Sequence, residues 1–282
     1  MAATIRLEHG SQTHPGMRRT VNEDAFLAAD PVFVVADGMG GHEAGDRASA
    51  AAVQAFASIV GRNDLTYLDI DETLNQARKA VLEVAATTLR GGGCTLTGVV
   101  RIVHGGAPQW HVLNVGDSRV YEYIDGELRQ ITRDHSLHLE LLAQGSPRAS
   151  ITPRNVITRA LGSEDSRHDA WLVPLQVGSR LLICSDGLTT EVEDIELAEA
   201  LASGKDPDTL VAQLIDLACD RGGRDNITAI IVDTLALEMT PVTPAESAEF
   251  ADLGDDTEDT TAEQDHTVRV ARAGRFRSEG QR

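Results

Sequence analysis

The sequence predicts an α+β layered domain, and three observations carry that prediction. Short apolar runs of strand length recur along the chain, and one adjacent pair is joined by the hairpin signal Asp125-Gly126. Two long stretches, 43–60 and 70–89, repeat apolar residues at helical spacing. Strands and helices come in blocks, with few β-α-β units, which argues against a doubly wound nucleotide-binding fold.

The elements follow in order. Ile5–Glu8 and Asp24–Ala28 read as short strands, and Val32–Ala36 as a buried, wholly apolar one. Gly38 to His42 is a glycine-rich turn. Ala48, Ala51, Ala52, Ala55, Phe56 and Ile59 mark a first helix, and Leu74, Ala77, Val81 and Val84 a second. Gly91-Gly92-Gly93 ends it. A β-rich block follows, with strands at Cys94–Val103, Gln109–Val115, Arg119–Ile124 and Glu127–Ile131. His135–Gln144 is a short helix closed by Gly145. Residues 146–161 are polar, contain two prolines and read as a loop or flap. Trp171–Leu175 and Arg180–Cys184 are strands, Asp194–Ala202 and Asp208–Asp220 helices, and Ile227–Leu237 a last strand. No internal repeat is visible.

Composition narrows the function. The 282 residues are 41% hydrophobic but only 4% aromatic, so aliphatic side chains must fill the core. A formal net charge of -19 opposes binding to nucleic acid, whose phosphates call for a basic surface. The three cysteines, Cys94, Cys184 and Cys219, are odd in number and widely spaced, as expected of free thiols in a reducing cytosol. No apolar run reaches the ~20 residues of a membrane span, and the N-terminus lacks a signal-like apolar stretch. A cytoplasmic protein is expected.

Four apolar runs meet an aspartate at or near an end: Asp37, Asp117, Asp186 and Asp225. A carboxylate beside a buried strand is expensive to desolvate unless a positive charge neutralises it. Four such sites in one domain imply a shared cation. Oxygen ligands select a hard ion such as Mg²⁺ or Mn²⁺ over zinc. That combination points to chemistry on a phosphate-like group.

Two segments sharpen this. In Arg19-Thr20-Val21-Asn22-Glu23-Asp24 an arginine precedes a Glu-Asp pair; the spacing favours Arg19 over its neighbour Arg18. In Asp37-Gly38-Met39-Gly40-Gly41-His42 the aspartate leaves a buried strand, Gly38 allows close backbone approach to an ion, and the later glycines bring His42 back.

With RTVNEDAF, VVADGMGGH, GCTLTGVV, LNVGDSRVY, TRDHS, NVITRALG, LLICSDGL and GRDNITAIIVD in that order, from about Arg19 to Asp233, the chain resembles the bacterial metal-dependent protein serine/threonine phosphatases of type 2C, the PPM family. The resemblance implies a β-sandwich of two mostly antiparallel sheets flanked by helices, in αββα layers, with the metals in a cleft at one edge. It implies two Mn²⁺ or Mg²⁺ ions. Asp37 would bridge them, Gly38 would lend its carbonyl, and Asp186 and Asp225 would complete the site. Glu23 and Asp24 would hold metal-bound waters or touch an ion directly. Asp117, with Asp186, matches the place of a third, weaker ion. Arg19 would clamp the substrate phosphate, and His42 would protonate the leaving oxygen.

These roles agree with elementary chemistry. Paired cations acidify a shared water. The planar guanidinium of Arg19 fits phosphate through two donors at once. An alkoxide is a poor leaving group, so a general acid is needed. Each residue also has an ordinary alternative: Asp37, Asp186 and Asp225 as turn aspartates after strands, Asp117 capping a turn or paired with Arg119, or His42 as a surface residue at a helix start. His135 and His138 read as structural or solvated, and Trp110 and Trp171 as core or strand-face residues. Cys94 stands where the family commonly has threonine and reads as a packing change. The flap segment, 144–155, is shorter than in many bacterial relatives.

The resemblance implies hydrolysis of phosphoserine and phosphothreonine in proteins, reversing a bacterial Ser/Thr kinase. The rivals are a catalytically silent phosphoprotein-binding module and a small-molecule phosphomonoesterase. The domain is expected to span 1–238. The remainder, 239–282, reads as a disordered tail rich in Thr and acids that ends in a basic segment. Thr260, Thr261 and Thr267 in that tail suggest phosphorylation and recruitment of a phosphothreonine-reading domain, against the blander reading of a solvating tail.

Overall fold

The computed structural model describes residues 2–40, 44–88, 91–240 and 269–270. Two sheets stack face to face. The first has the order β1 (Ala2–His14), β11 (Ile227–Thr240), β10 (Arg180–Cys184), β7 (Arg119–Ile124), β8 (Glu127–Gln130). The second runs β12 (Arg269–Val270), β9 (Asp169–Pro174), β6 (Ala107–Val115), β5 (Leu96–His104), β3 (Val32–Met39), β2 (Asp24–Ala29), with β4 (Gly93–Cys94) paired to the end of β3. All pairs are antiparallel except β12 with β9. Helices α1 (Gly45–Phe56) and α2 (Tyr67–Ala86) cover the second sheet; α4 (Asp186–Thr189), α5 (Asp194–Leu201) and α6 (Pro207–Asp220) cover the first. Helix α3 (Leu137–Ala143) lies in the segment after β8.

Strand periodicity explains why the central strands are apolar throughout. Successive side chains alternate between faces. In β3, Val32, Val34 and Ala36 pack under α1 and α2, while Phe33 and Val35 fill the space between the sheets. In β11, Ile227, Ala229 and Ile231 face α4–α6, while Ile230 and Val232 face the other sheet. Three apolar layers thus separate four layers of structure, as expected for the αββα arrangement.

The differences from expectation are local. Strand β1 is far longer than Ile5–Glu8, because β11 pairs with it from Ala2 to His14 despite its polar composition. The expected strand at 94–103 is broken at Thr95. Helix α4, a single turn directly after Ser185, was not expected, since four residues are too few for a periodic signal. The flap carries a short 3₁₀ turn at Pro147–Ile151. The hairpin at Asp125-Gly126 is as expected, with φ of 53° and 83°, the mirror-image turn that matches strand twist. Strand β11 continues to Thr240, past the expected boundary at 238. His42 and nearly all of the tail, including Thr260, Thr261 and Thr267, lie outside the described residues; Arg269–Val270 form a strand beside Trp171–Leu172. Among the described residues no helix is long and apolar enough to cross a membrane.

Candidate active site

The aspartates come together at one end of the sandwich. Asp24 opens β2 and Asp37 lies near the end of β3, and the two are direct partners in the ladder. Asp117 sits in the turn that carries the chain from β6 in one sheet to β7 in the other. Asp186 follows β10, and Asp225 precedes β11. All five are half-buried and so keep part of their surface toward the cleft.

The backbone around them admits little change. The Asp37 N–H donates to Thr95 Oγ1 at 3.0 Å, and the Thr95 N–H returns a bond to Asp37 O at 2.8 Å. Thr95 Oγ1 also meets Ser118 Oγ, beside Asp117, at 2.8 Å. Gly38 donates to Glu23 O at 3.1 Å. A Cβ on Gly38 would stand 2.3 Å from Gly45 O and 2.5 Å from Glu23 O, so this position accepts only glycine.

Charge is concentrated here. Desolvation first, then the charges of Asp24, Asp186, Asp117 and Asp225, push the Asp37 carboxyl well above the ordinary range. Burial pushes Asp24 up to about 7, although the hydroxyls of Thr228 and Ser185 pull the other way. Burial and the charge of Asp186 push Asp117 up to about 7 as well. Asp186 is raised by burial and by Asp225, partly offset by a hydrogen bond from Asp37 and by Arg19 and Arg119.

Asp24 Oδ2 accepts from Thr228 Oγ1 at 2.6 Å and Ser185 Oγ at 2.8 Å, whereas its buried Oδ1 has no hydrogen-bond partner among the described residues. A buried orphan oxygen among carboxylates that raise one another's pKa calls for a proton or a cation, and an all-oxygen set suits a hard divalent ion. The residues present therefore fit such an ion. Among the described residues no three ligand side chains already form a closed cage. One oxygen of Asp225 is held instead by Arg19, whose Nη2 lies 2.7 Å from Oδ2.

Arg19 is exposed at the rim, where the sequence expects a phosphate clamp. Asp117 is not paired with Arg119; that guanidinium grips Asp134, with Nη2 2.8 Å from Oδ2. Cys94 is buried, with its thiol pushed up by burial and by Asp37, consistent with packing. His135 is buried and structural: its Nδ1 accepts from Gly116 N at 3.1 Å. His138 makes a 2.9 Å bond to Ala149 O in the flap.

Sequence reasoning missed the residues that hold the carboxylates. Asn226 is the main one. Its Oδ1 accepts from Glu23 N at 2.8 Å, and its Nδ2 donates to Val21 O at 2.9 Å and Pro15 O at 3.0 Å. It thereby joins the Asp225 turn to the Glu23-Asp24 segment. Ser185, Thr228 and Thr95 were missed too. Ser185 and Thr228 lie close to Asp186 and Asp225 in sequence and Thr95 lies in GCTLTGVV, far along the chain from any of the aspartates, but a neutral side chain gives no sign by itself that it will be buried beside one.

Comparison with known proteins agrees with this geometry. The family profile of protein phosphatase 2C matches residues 16–221. A serine/threonine phosphatase, Stp, of Listeria monocytogenes is 37% identical over 241 residues, which is 79% of this chain and 94% of the relative. The serine/threonine protein phosphatase PstP of Mycobacterium tuberculosis is 32% identical over 244 residues, 82% of this chain and 46% of that longer protein. Among solved structures, the catalytic domain of PstP with two manganese ions superposes with a TM-score of 0.74 at 30% identity, covering 83% of this chain and all (100%) of that one. PppA of Pseudomonas aeruginosa gives 0.72 at 35% identity, covering 83% and 100%. With motifs, fold and carboxylate cluster in agreement over most of its length, the chain belongs to the protein phosphatase 2C family.

Proposed function

We propose that this chain is a protein phosphatase that hydrolyses phosphoserine and phosphothreonine with two divalent ions, Mn²⁺ or Mg²⁺. The observation that carries this is the meeting of five aspartates from both sheets, with Asp24 Oδ1 buried and unpartnered among the described residues and an exposed arginine at the rim. Asp37, Asp186 and Asp225 would hold the pair of ions, with the Gly38 carbonyl beside Asp37. Glu23 and Asp24 would act through water or directly, and Asp117 with Asp186 would take a weaker third ion. When bound, the ions supply Lewis-acid charge stabilisation and an acidified water.

The protein's own groups do the rest. Arg19 presents paired N–H donors to the phosphate, and its bond to Asp225 keeps the guanidinium poised until substrate competes for it. The buried frame of Asn226, Thr95, Ser185 and Thr228 fixes the carboxylates before substrate arrives. His42 gives its proton to the departing serine or threonine oxygen. The same reading makes a cognate Ser/Thr kinase the source of the substrate and the cytoplasm the place of action. It makes 239–282 a tail dispensable for hydrolysis, through which a phosphothreonine-reading domain would bind.

The test is phosphate release from a phosphothreonine peptide with Mn²⁺, with chelator, and by Asp37→Asn in parallel. Release that needs Mn²⁺ and fails in the variant is expected. Faster release from nucleotide monophosphates than from the peptide would favour a small-molecule phosphomonoesterase. Binding of the phosphopeptide without turnover would favour a silent module.

A further inference from the structure

A cleft of about 740 Å³ opens beside the aspartates, between the wall formed by Arg133 and Arg154 and the segment from Thr189 to Ile195. Two of its lining residues, Thr189 and Arg119, lie on the segments that carry Asp186 and Asp117. Thr189 Oγ1 donates to Asp186 O at 3.3 Å across the single turn of α4, and Arg119, also lining the cleft, follows Asp117 by two residues.

Its charges are unevenly committed. Asp134 takes Arg119 at 2.8 Å and Gln130 Nε2 at 2.8 Å. Asp194 Oδ1 accepts from the Tyr121 hydroxyl at 3.0 Å. Arg133 and Arg154 are exposed, and neither guanidinium has a partner among the described residues. Their backbones are nonetheless fixed: Arg133 O accepts from Asn114 Nδ2 at 3.1 Å, and Arg154 O from Ser136 Oγ at 3.0 Å. Two uncommitted cations held on rigid backbone, on a chain of net charge -19, form a local positive wall. Across the cleft, Ile195 is 64% exposed and offers an apolar contact beside the exposed carboxylate of Glu193, so an acidic residue is favoured only on the arginine side.

The geometry points to a substrate groove: Arg133 and Arg154 bind acidic residues flanking the phosphoresidue of a phosphoprotein. This rests on the phosphatase reading above and adds a sequence preference to it. The groove lies beyond the carboxylates, so a small phosphomonoester would occupy the site without reaching it. Guanidinium–carboxylate pairs at this exposure are screened by salt, so the preference should fade as ionic strength rises.

The experiment compares p-nitrophenyl phosphate with two phosphothreonine peptides, one flanked by Asp and Glu and one by Ala, on the wild-type chain and on Arg133→Ala/Arg154→Ala. For the acidic peptide the double variant is expected to raise KM about tenfold with kcat unchanged. The alanine-flanked peptide and p-nitrophenyl phosphate should stay within about twofold. Equal KM values for the two peptides on the wild-type chain, or an unchanged KM in the variant, would overturn the groove while leaving the phosphatase reading intact. A KM that falls in the variant would also overturn it, since that outcome means the arginines hold an inhibitory segment such as the acidic tail. A wild-type chain that hydrolyses none of the three substrates with Mn²⁺ overturns the phosphatase reading and the groove with it.

Discussion

Asp24 and Asp37 face each other as paired residues on the antiparallel strands β2 and β3. Two carboxylates fixed at adjacent ladder positions repel unless one is protonated or a cation lies between them. Asp37→Asn removes that repulsion. Without metal, the variant should melt a few °C above the wild type while losing at least 10³-fold in Mn²⁺-dependent phosphate release. Calorimetry in chelator and an activity assay check the two halves; a lower melting temperature would count against the buried repulsion.

The raised carboxyls set a pH dependence for the metal-free protein. Asp24 and Asp117 have folded values of about 7, against an ordinary 3.8. A group raised on folding lends stability that is full below its unfolded value and is lost as pH rises through the folded one. In chelator, this contribution should fade between about pH 4 and pH 7, making the protein less stable at pH 8 than at pH 5. Saturating Mn²⁺ should flatten the profile. Melting temperatures across that range, with and without Mn²⁺, decide the matter.

Gly38→Ala tests the closeness of the backbone. The added methyl would press on two carbonyl oxygens, of Gly45 and Glu23, neither of which is a flexible side-chain end. A loss of about 3 kcal/mol is expected, seen as a melting temperature lower by roughly 10 °C.

Asn226→Ala would leave the Glu23 N–H and the Pro15 and Val21 carbonyls without their side-chain partner. The expected destabilisation is about 2–4 kcal/mol. Mn²⁺ affinity measured by titration calorimetry should fall as well, because the Glu23-Asp24 segment is no longer tied to Asp225. Unchanged affinity would show that the tie is purely structural.

Arg19→Lys separates charge from shape. The Arg19–Asp225 pair is about half exposed, so its loss should shift the melting temperature little. A lysine cannot reproduce the forked donors, and KM for a phosphothreonine peptide should rise about tenfold with Mn²⁺ affinity kept.

Much of this site was legible in the sequence. Asp37, Asp186 and Asp225 each adjoin a strand whose apolar run is visible on sight, and Arg19, Glu23 and Gly38 share their motifs. The long helices and the Asp125-Gly126 hairpin were equally readable, because their signals are local and periodic. The one-turn α4 and the full length of β1 were not. A single turn has no period, and the polar residues of β1 form a strand only because β11 supplies a partner for each.

The sequence by itself determined the chemical inventory: carboxylates at strand ends, an arginine in the same motif as Glu23 and Asp24, and a core of aliphatic strands buried on both faces. Tertiary structure alone decided how that inventory is held. It set Asp24 opposite Asp37, gave Asn226 the task of joining three segments, turned Arg119 to Asp134 and left Arg133 and Arg154 uncommitted among the described residues. The physical reason is range. Hydrophobic periodicity and turn chemistry are written in neighbouring residues, whereas a buried polar group's partner is fixed by sheet register and by segments as far apart as Glu23 and Asn226.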